Sequence, residues 1–504
     1  MGNRITLLLT LVLAGWVMTG CGNTDTTPAA SDLATTSVGP FASTTMEQAG
    51  NQAGPTSVTP TTSVVPTTSA VPTTSATPTA SETVVAQTTV PKLKPSPSAG
   101  SSPDPYQDST LGESFRGVTA SEVRVGFTWI DFDEVNRTFG LNLRWANWLP
   151  AFAALVEDLN NRGGILGRQV VLIDRPYLPG GSASAEQACL ELTGDEQVFA
   201  VLNGFHGPGA ETSNECFGTH ETILVGGRPS VEQLALVDAP WITDDMGNVR
   251  RAESFVRLLD QTGVLRDLGP TLVYSTGPGY VEAAEAAVEA IDASGAPAPM
   301  SARNQYGGDE PAAIAQLEVV LERARADGVQ TILVVGEGVR VLEYLVDQGD
   351  QFNLLIHNGE SVEPWNLSPP AGIGNAGRII TNTRFRQDDD EQVEGCRRVV
   401  EASLGHEVRP TDELDPDERD HWSALTISCR TLALFTQVAT AAGPNLTNDS
   451  FAEAVANMGP IRIPGERFAS LGPDKPDARD GLALAEWSHT TGRWVQVSEE
   501  FDLG

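Results

Sequence analysis

The sequence is poor in cationic and aromatic residues. Only 32 of its 504 residues are lysine or arginine, against 66 aspartate and glutamate residues, and the formal net charge is -34. Such an acidic chain is a poor partner for nucleic acid or for an anionic membrane surface. Aromatic residues make up 6% and hydrophobic residues 40% of the chain, which indicates that part of it never enters a folded core.

The sequence also lacks the motifs that carry common enzymatic chemistry. It contains no Gly-x-Ser-x-Gly elbow, no P-loop and no zinc-protease motif, and its six histidines lack metal-ligand spacing. We therefore expect no enzymatic activity, no cofactor and no metal. The acidic run 388–391 is typical of a solvated loop, because the spaced pattern of a calcium loop is absent.

The first 20 residues are typical of a bacterial secretory signal of the lipoprotein type. Arg4 precedes an apolar run over residues 5–16, and Gly20 comes directly before Cys21. This pair resembles a lipobox, in which the cysteine receives a diacylglyceryl group. We expect residues 1–20 to form the signal peptide and Cys21 to be lipidated. An ordinary signal peptide followed by an incidental cysteine is the alternative.

Residues 21–118 are predicted to be the lipidated cysteine and a disordered tether. Ser, Thr, Pro and Ala dominate, and Pro-Thr-Thr-Ser recurs at Pro60, Pro66 and Pro72. Such a composition buries too little apolar surface to offset the entropy lost on ordering the chain.

Four cysteines remain beyond the tether, and their even number in an exported domain favours two disulfides. Of the three possible pairings we predict the two that are local in sequence, Cys189 with Cys216 and Cys396 with Cys429. A metal site is the less favoured alternative, because no C-x-x-C spacing is present.

From residue 119 onwards, predicted strands alternate with predicted helices. This alternation indicates parallel sheets covered by helices on both faces. The remaining 386 residues are too many for one ordinary core, so we expect two doubly wound lobes. The predicted strands are Glu122–Ile130, Gln169–Asp174, Val198–Leu202, Ile223–Val225, Thr271–Tyr274 and Thr331–Val335, and the predicted helices are Trp145–Asn161, Ser184–Leu192, Val281–Ala293, Pro311–Ala326, Val393–Ser403 and Ser423–Ala442.

One segment, residues 155–168 (LVEDLNNRGGILGR), closely resembles a motif of type I periplasmic binding proteins of the branched-chain amino acid and amide class. In that family a helix ends in an Asn-x-x-Gly-Gly-x-x-Gly-Arg turn, here Asn160, Gly163, Gly164, Gly167 and Arg168. The resemblance implies an α/β fold of two parallel-sheet lobes joined by three hinge crossings, near Asp245, Phe385 and Gly481. Lobe I would comprise 119–245 and 385–481, and lobe II 246–384 and 482–504.

Ligands of doubly wound sheets bind beyond the carboxyl ends of the strands. On lobe I this rule selects Trp129 and the loop that holds Asn203, Phe205 and His206, and the resemblance implies a further contact loop that ends in Arg228. The resemblance implies that the loop meets a ligand carboxylate, but here Phe205 and His206 replace the usual hydroxyls. Arg228 would meet an acidic ligand group, or it forms a surface salt bridge.

On lobe II the same rule selects Tyr280, Glu337 and Glu360. Tyr280 offers a stacking wall, although a structural turn explains it equally well. The resemblance implies that a lobe II acid pairs with a ligand ammonium group, and Glu360 is the better candidate for that role.

The sequence thus predicts an extracytoplasmic, lipid-anchored solute-binding protein. Its partners would be a small polar ligand, such as an amino acid, an amide or a related acid, and the permease of an ABC importer. It would contact the membrane only through its lipid anchor. The alternative is a ligand-sensing or cell-wall interaction lipoprotein with the same fold and no role in transport.

Overall fold

The computed structural model describes residues 111–504, except for 208, 306–309, 337–338, 348–351, 367–368, 384–389 and 416–417. The predicted signal peptide, Cys21, most of the predicted tether, Glu337 and the predicted crossing near Phe385 lie outside the described residues. Within them, no helix is long and apolar enough to cross a membrane.

The first sheet contains five parallel strands, in the order β2-β1-β3-β4-β5. Helices follow the strands as the sequence predicts, because buried parallel strands need a crossover connection. The strands are β1 (Glu122–Ile130), β2 (Gln169–Tyr177), β3 (Ala200–Asn203), β4 (Ile223–Gly226) and β5 (Trp241–Ile242), and the helices are α1 (Phe132–Phe139), α2 (Leu149–Asn161), α3 (Ala183–Leu190), α4 (Glu215–Thr219) and α5 (Val231–Ala235).

The second sheet has the order β14-β13-β10-β9-β8-β6-β7, with β15 paired to β13. Its strands β6 to β10 pair in parallel, whereas β13 pairs antiparallel with β10, β14 and β15. The strands are β6 (Thr271–Ser275), β7 (Met300–Arg303), β8 (Thr331–Val335), β9 (Asn353–Ile356), β10 (Ile379–Thr383), β13 (Gly481–Ser488), β14 (Arg493–Gln496) and β15 (Phe501–Asp502), while β11 (Gly459–Pro460) and β12 (Ser470–Leu471) form a separate ribbon.

The remaining helices occupy the intervening and C-terminal segments. Helix α2 begins four residues later than predicted, because its first turn contains Pro150 and residues 145–148 form a loop. The other helices are α6 (Asn248–Gln261), α7 (Val264–Asp267), α8 (Val281–Ala293), α9 (Glu310–Ala326), α10 (Val339–Asp347), α11 (Glu391–Leu404), α12 (His421–Ala441) and α13 (Asn448–Asn457).

The apolar core is divided between the two sheets. One cluster surrounds the first sheet and includes side chains from 118–242 and 393–478. Two further clusters use side chains from 246–380 and 482–503 around the second sheet. Each sheet therefore has its own core, as the prediction of two lobes requires.

Both predicted disulfides are confirmed. Cys189 pairs with Cys216 and Cys396 pairs with Cys429, and all four cysteines pack in or against the core of the first sheet. The second bridge joins α11 to α12. In the chain-entropy model, loops of this length contribute roughly 3–4 kcal/mol each to the free energy of unfolding.

The chain before β1 is part of the folded unit. Residues 111–118, which the sequence assigns to the tether, instead lie against the first sheet, because Phe115 and Val118 are apolar and pack on its core. The hydroxyl of Ser114 donates to the carbonyl oxygen of Leu446 at 2.8 Å.

The Gly-Gly turn positions a buried arginine that ties this segment down. Gly164 has φ +67°, and a Cβ atom there would lie 1.9 Å from the carbonyl oxygen of Arg168, so the turn requires glycine. The guanidinium of Arg168, 0% exposed, donates to the carbonyl oxygens of Thr119 at 2.7 Å, Pro444 at 2.8 Å and Gly112 at 3.2 Å. Arg168 therefore links three separate chain segments.

A network of ion pairs lies where the chain passes from one sheet to the other. Arg250, in the first turn of α6, contacts Asp477 at 2.8 Å and Asp480 at 3.0 Å, just before β13. Lys475 also contacts Asp480 at 3.0 Å. Glu500 lies close to the start of β13, because a Cβ atom on Gly481 would be 2.0 Å from its Oε1. The segment that leads into α6 and the segment that leads into β13 are thus joined by charged side chains.

We expect Arg168→Met to lower the free energy of unfolding by about 2–4 kcal/mol, because three hydrogen bonds to carbonyl oxygens are lost at a buried site. Urea denaturation measures the change. Arg162→Met is the matched control, since Arg162 forms only an exposed ion pair with Asp158, and it should cost less than about 0.5 kcal/mol. Equal losses in the two variants would contradict the role assigned to Arg168.

Glu500 gives stability a distinct pH dependence. Burial, and then the nearby carboxylate of Glu466, raise its pKa from 4.5 to about 7. Glu500 therefore stabilises the fold fully below its unfolded pKa of 4.5, and this contribution is lost as the pH rises through about 7. We expect Glu500→Gln to gain about 1–3 kcal/mol relative to the parent at about pH 8, and little at about pH 5.

Urea denaturation at each pH measures this difference between variant and parent. Taking the difference isolates Glu500 from the buried histidines, whose lowered pKa values act in the opposite direction. Glu499→Gln is the control, because Glu499 is exposed. If the Glu500→Gln curve ran parallel to that of the parent, the carboxyl group would not be titrating in this window.

Candidate functional site

Five charged side chains meet between the two sheets, and we call them the hinge cluster: Arg228, Asp245, Arg251, Glu360 and Arg479. They come from the segments that follow β4 and β5, from α6, from the segment that follows β9, and from the segment before β13. The cluster therefore lies at the carboxyl ends of strands from both sheets, where doubly wound proteins bind ligands.

Arg228 and Glu360, both selected from the sequence, are brought together by the fold. The Nη2 atom of Arg228 donates to Oε2 of Glu360, and its Nε donates to Oδ2 of Asp245 at 2.9 Å. The side chains of Arg228 and Glu360 are 31% and 35% exposed. The two residues that were each expected to meet a ligand thus form an ion pair with each other, and solvent still reaches both.

Asp245 is the common partner of the three arginines of the cluster. Arg251 approaches its Oδ2 at 2.6 Å, and Arg479 approaches its Oδ1 at 3.5 Å. The side chains of these two arginines are only 1% exposed, and that of Asp245 is 8% exposed. Buried charges of this kind are stable only when they are paired.

The loop after β3 separates the residues that the sequence grouped. Phe205 is 0% exposed and packs on Phe217 and Tyr177, with ring centroids 5.1 Å and 4.9 Å away. Asn203 has φ +81°, and its side-chain amide donates to the carbonyl oxygen of Thr128 at 2.8 Å. Phe205 therefore belongs to the core, and the side chain of Asn203 fixes the start of the loop to the backbone of Thr128.

His206 remains at the site. Its Nε2 lies 2.9 Å from the carbonyl oxygen of Asn203, so Nε2 carries the proton, since a carbonyl oxygen only accepts. Its ring packs edge-on against Trp148 at 5.7 Å. Burial, and then the positive charge of Arg228, lower the pKa of His206 to about 4. His206 is therefore a neutral imidazole beside the hinge cluster at neutral pH.

Trp129, which the sequence selects as a ligand contact, is largely buried. It is 8% exposed, and its indole N–H donates to Oδ2 of Asp174 at 3.0 Å. The ring that reaches His206 is Trp148, which the sequence placed inside a core-facing helix. The aromatic side chain that contacts His206 thus comes from the loop before α2.

On the second sheet, Tyr280 ends a 3-10 turn, Pro278–Tyr280, after β6. A Cβ atom on Gly336 would lie 2.7 Å from Cδ2 of Tyr280, so the ring rests directly on the backbone after β8. The ring of His357 lies 6.3 Å from that of Tyr280, edge-on. Tyr280 thus packs against a buried imidazole at the carboxyl end of β9.

His357 was not selected from the sequence. It is 0% exposed, and its Nδ1 accepts the backbone N–H of Gly336 at 3.1 Å. Burial, and then Arg251 and Arg228, lower its pKa to about 3. The signal available was its position just before Glu360, which the sequence did select, at the end of the apolar run that forms β9.

Asp245, Arg251 and Arg479 were also missed as site residues. From the sequence, Asp245 served only to place a hinge crossing. No local sequence pattern distinguishes an arginine in a charged cluster from a solvated one. Among the residues that the structure describes, no three His, Cys, Asp or Glu side chains are placed to hold a metal ion. The described groups are hydrogen-bonding and charged side chains that suit reversible binding.

No protein-family model and no curated protein matches the sequence. Solved structures do match the fold. An ABC transporter substrate-binding protein from Desulfitobacterium hafniense in complex with Leu is 14% identical, with a TM-score of 0.51, covering 75% of this chain and all of the other. A solute-binding protein from Rhodopseudomonas palustris HaA2 in complex with p-hydroxybenzoic acid is 13% identical, with a TM-score of 0.53, covering 76% and 98%.

A third similar structure is the fatty acid ABC transporter substrate-binding protein from Thermomonospora curvata. It is 14% identical, with a TM-score of 0.51, and the match covers 78% of this chain and 95% of that one. In all three matches nearly the whole length of the solved structure is covered. The chain therefore has the α/β fold of the type I periplasmic binding proteins, with two sheets in two lobes.

Proposed function

We propose that this chain is an extracytoplasmic, lipid-anchored solute-binding protein that captures a small polar ligand between its lobes and delivers it to the permease of an ABC importer. The observation that carries the proposal is the contact of Arg228 with Glu360. These side chains follow strands of different sheets, so their meeting closes the space in which such folds bind ligands.

The similar structures support the transport role, because all three are described as parts of ABC transporters. The Gly20-Cys21 pair and its apolar leader support export and lipid anchoring. The lobe boundaries at residues 245, 385 and 481 belong to the same proposal. An amino acid, an amide or a related small acid would fit a cleft that presents charged and hydrogen-bonding groups.

The mechanism is an equilibrium between open and closed lobes. A ligand shifts this equilibrium only if it binds the closed form better than the open form. Arg228 and Glu360 contribute to the closed form on their own, so closure does not depend on ligand contacts alone. The hinge cluster thus sets how much of the closed form exists before a ligand arrives.

We expect Arg228→Ala to open the lobes, because it removes the contact with Glu360. Pulsed electron–electron resonance between nitroxide labels on Leu236→Cys and Val319→Cys measures the opening. Both positions are exposed, at 64% and 67%, and Leu236 follows α5 beside the first sheet whereas Val319 lies in α9 beside the second. The distance distribution should shift, whereas Arg162→Ala should leave it unchanged. An unchanged distribution in Arg228→Ala would show that the pair does not hold the lobes.

Ligand binding itself should be detectable as thermal stabilisation. In a screen of amino acids, amides, small aromatic acids, polyamines and sugars, a ligand at a hundredfold excess over its Kd should stabilise the native protein by about 2.7 kcal/mol. Arg228→Ala and Glu360→Ala should weaken the effect, and Arg162→Ala should not. Silence across the panel, with folded protein, would favour the alternative role in sensing or cell-wall interaction.

A further inference from the structure

A cavity of about 120 Å³ lies between the end of α11 and the start of α12. Its lining includes no residue of the hinge cluster. The charged and titratable side chains that line it are His406, Glu407, Arg409, Glu418, Arg419 and His421. The rings of His406 and His421 meet edge-on there, with centroids 4.8 Å apart. His406 is exposed and His421 is half-buried, so protons from solvent reach the pair.

The two imidazoles are compatible at this distance only while one of them is uncharged, since like charges that share a site disfavour each other. Histidine gains its charge between about pH 8 and about pH 5. Burial, and then the positive charges of His406 and Arg419, lower the pKa of His421 against the opposing effect of Asp420 and Glu418. His421 therefore binds its proton less well here than in water, so its protonation favours any arrangement in which the rings separate.

The carboxylates that face the pair offer little compensation. Glu418 forms an ion pair with Arg409. The buried carboxylate of Asp420 accepts the backbone N–H of Ser423 at 3.0 Å and the hydroxyl of Ser423 at 2.7 Å. Glu407 is exposed to solvent, where the attraction between charges is weak. A second proton on the pair therefore meets carboxylates that are already bound or well solvated.

The segment between the two histidines is bonded to the segment before α2 by contacts that we call the clasp. The N–H of Asp420 donates to the carbonyl oxygen of Arg144 at 2.8 Å, and the carbonyl oxygen of Asp420 accepts the N–H of Ala146 at 3.2 Å. Nη1 of Arg144 also donates to the carbonyl oxygen of Asp415 at 3.0 Å. Asp420 directly precedes His421, so the clasp ends beside the histidine pair.

The clasp supports the aromatic ring that contacts the candidate site. Trp148 comes shortly after the clasp in the chain, and its ring lies 5.7 Å from that of His206. The other side of Trp148 meets Phe132 of α1, at 6.1 Å. Arg419 binds the same helix through an ion pair with Asp133. The segment between the histidines thus holds both α1 and the residues that bring Trp148 to His206.

We propose that the pair of His406 and His421 is a proton-operated switch that opens the clasp in mild acid and so moves Trp148 away from the candidate site. When both imidazoles are charged they repel each other, and the start of α12 shifts away from the segment before α2. Near neutral pH the uncharged pair leaves the clasp closed. His206 and His357 take no part, because their pKa values of about 4 and about 3 leave them largely uncharged at about pH 5.

Hydrogen exchange of the full protein without added ligand, followed by mass spectrometry at about pH 7 and about pH 5, tests the switch. The peptide that contains Ala146 reports on the clasp, after correction for the intrinsic exchange rate at each pH. We expect its protection factor to fall at least about fivefold at the lower pH, because its N–H loses the carbonyl oxygen of Asp420. Equal protection at the two pH values would overturn the proposal.

The variant His406→Gln tests the origin of the change. It removes one titrating ring at an exposed position, so the protein should fold and the Ala146 peptide should stay protected at both pH values. Circular dichroism and the protection measured at neutral pH report on its fold. His489→Gln is the control, because His489 is exposed in the turn between β13 and β14. A loss of protection in acid that persists in His406→Gln would overturn the assignment to this pair.

Fluorine NMR of protein labelled with 5-fluorotryptophan follows Trp148, whose resonance is assigned by its absence in Trp148→Phe. We expect this resonance to shift between about pH 7 and about pH 5 in the parent and not in His406→Gln. A clasp that opens without this shift would overturn the link to the candidate site. Neither measurement needs a solute, so a failed switch leaves solute capture standing, and a working switch in a protein that binds no solute leaves only the switch.

Discussion

The arrangement of this protein depends on the ion pairs that the carboxylate of Asp245 forms with three arginines. The carboxylate lies between the two sheets, where the chain first passes from one to the other, and it binds three arginines, which come from the turn after β4, from α6 and from the segment before β13. Without it, Arg251 and Arg479 would be buried guanidiniums that have lost their shared partner, which is costly. The segments that connect the two sheets and the loop after β4 therefore converge on the carboxylate of Asp245.

This dependence explains why the site is compact although its residues are scattered. Arg228 is positioned by the turn after β4, and Glu360 by the 3-10 helix Gly359–Asn366. A Cβ atom on Gly359 would lie 1.8 Å from the carbonyl oxygen of Asn382, so the start of that 3-10 helix rests directly on the end of β10. The charged groups are thus held by backbone packing as well as by each other.

Much of the fold could be predicted from the sequence because its causes are local. The strands β1 and β8 and the helix α8 have the predicted bounds, since apolar runs and periodic apolar positions depend only on neighbouring residues. Both disulfide pairings also followed from sequence proximity. The antiparallel strand β13 was not predicted, because its pairing depends on how the chain returns to the second sheet.

The site was harder to predict because its causes are not local. Phe205 and His206 are adjacent, yet one enters the core and the other faces the hinge cluster. Asn214 determines this, since its side chain binds both the N–H and the carbonyl oxygen of Phe205, at 2.7 Å and 3.0 Å. Likewise, the pair of Arg228 and Glu360 joins residues 132 positions apart, and no spacing rule selects such a contact.

The attachment of residues 111–118 has a mechanical consequence. A pull on the chain before residue 111 would first load the bonds of Arg168, which tie Gly112 and Thr119 to the carbonyl oxygen of Pro444. It would then act along β1, a strand paired in parallel on both sides, where the ladder resists in shear. The force enters one lobe at the opposite end of the strands from the hinge cluster. A force applied there would therefore not act directly on the ion pairs of the hinge cluster.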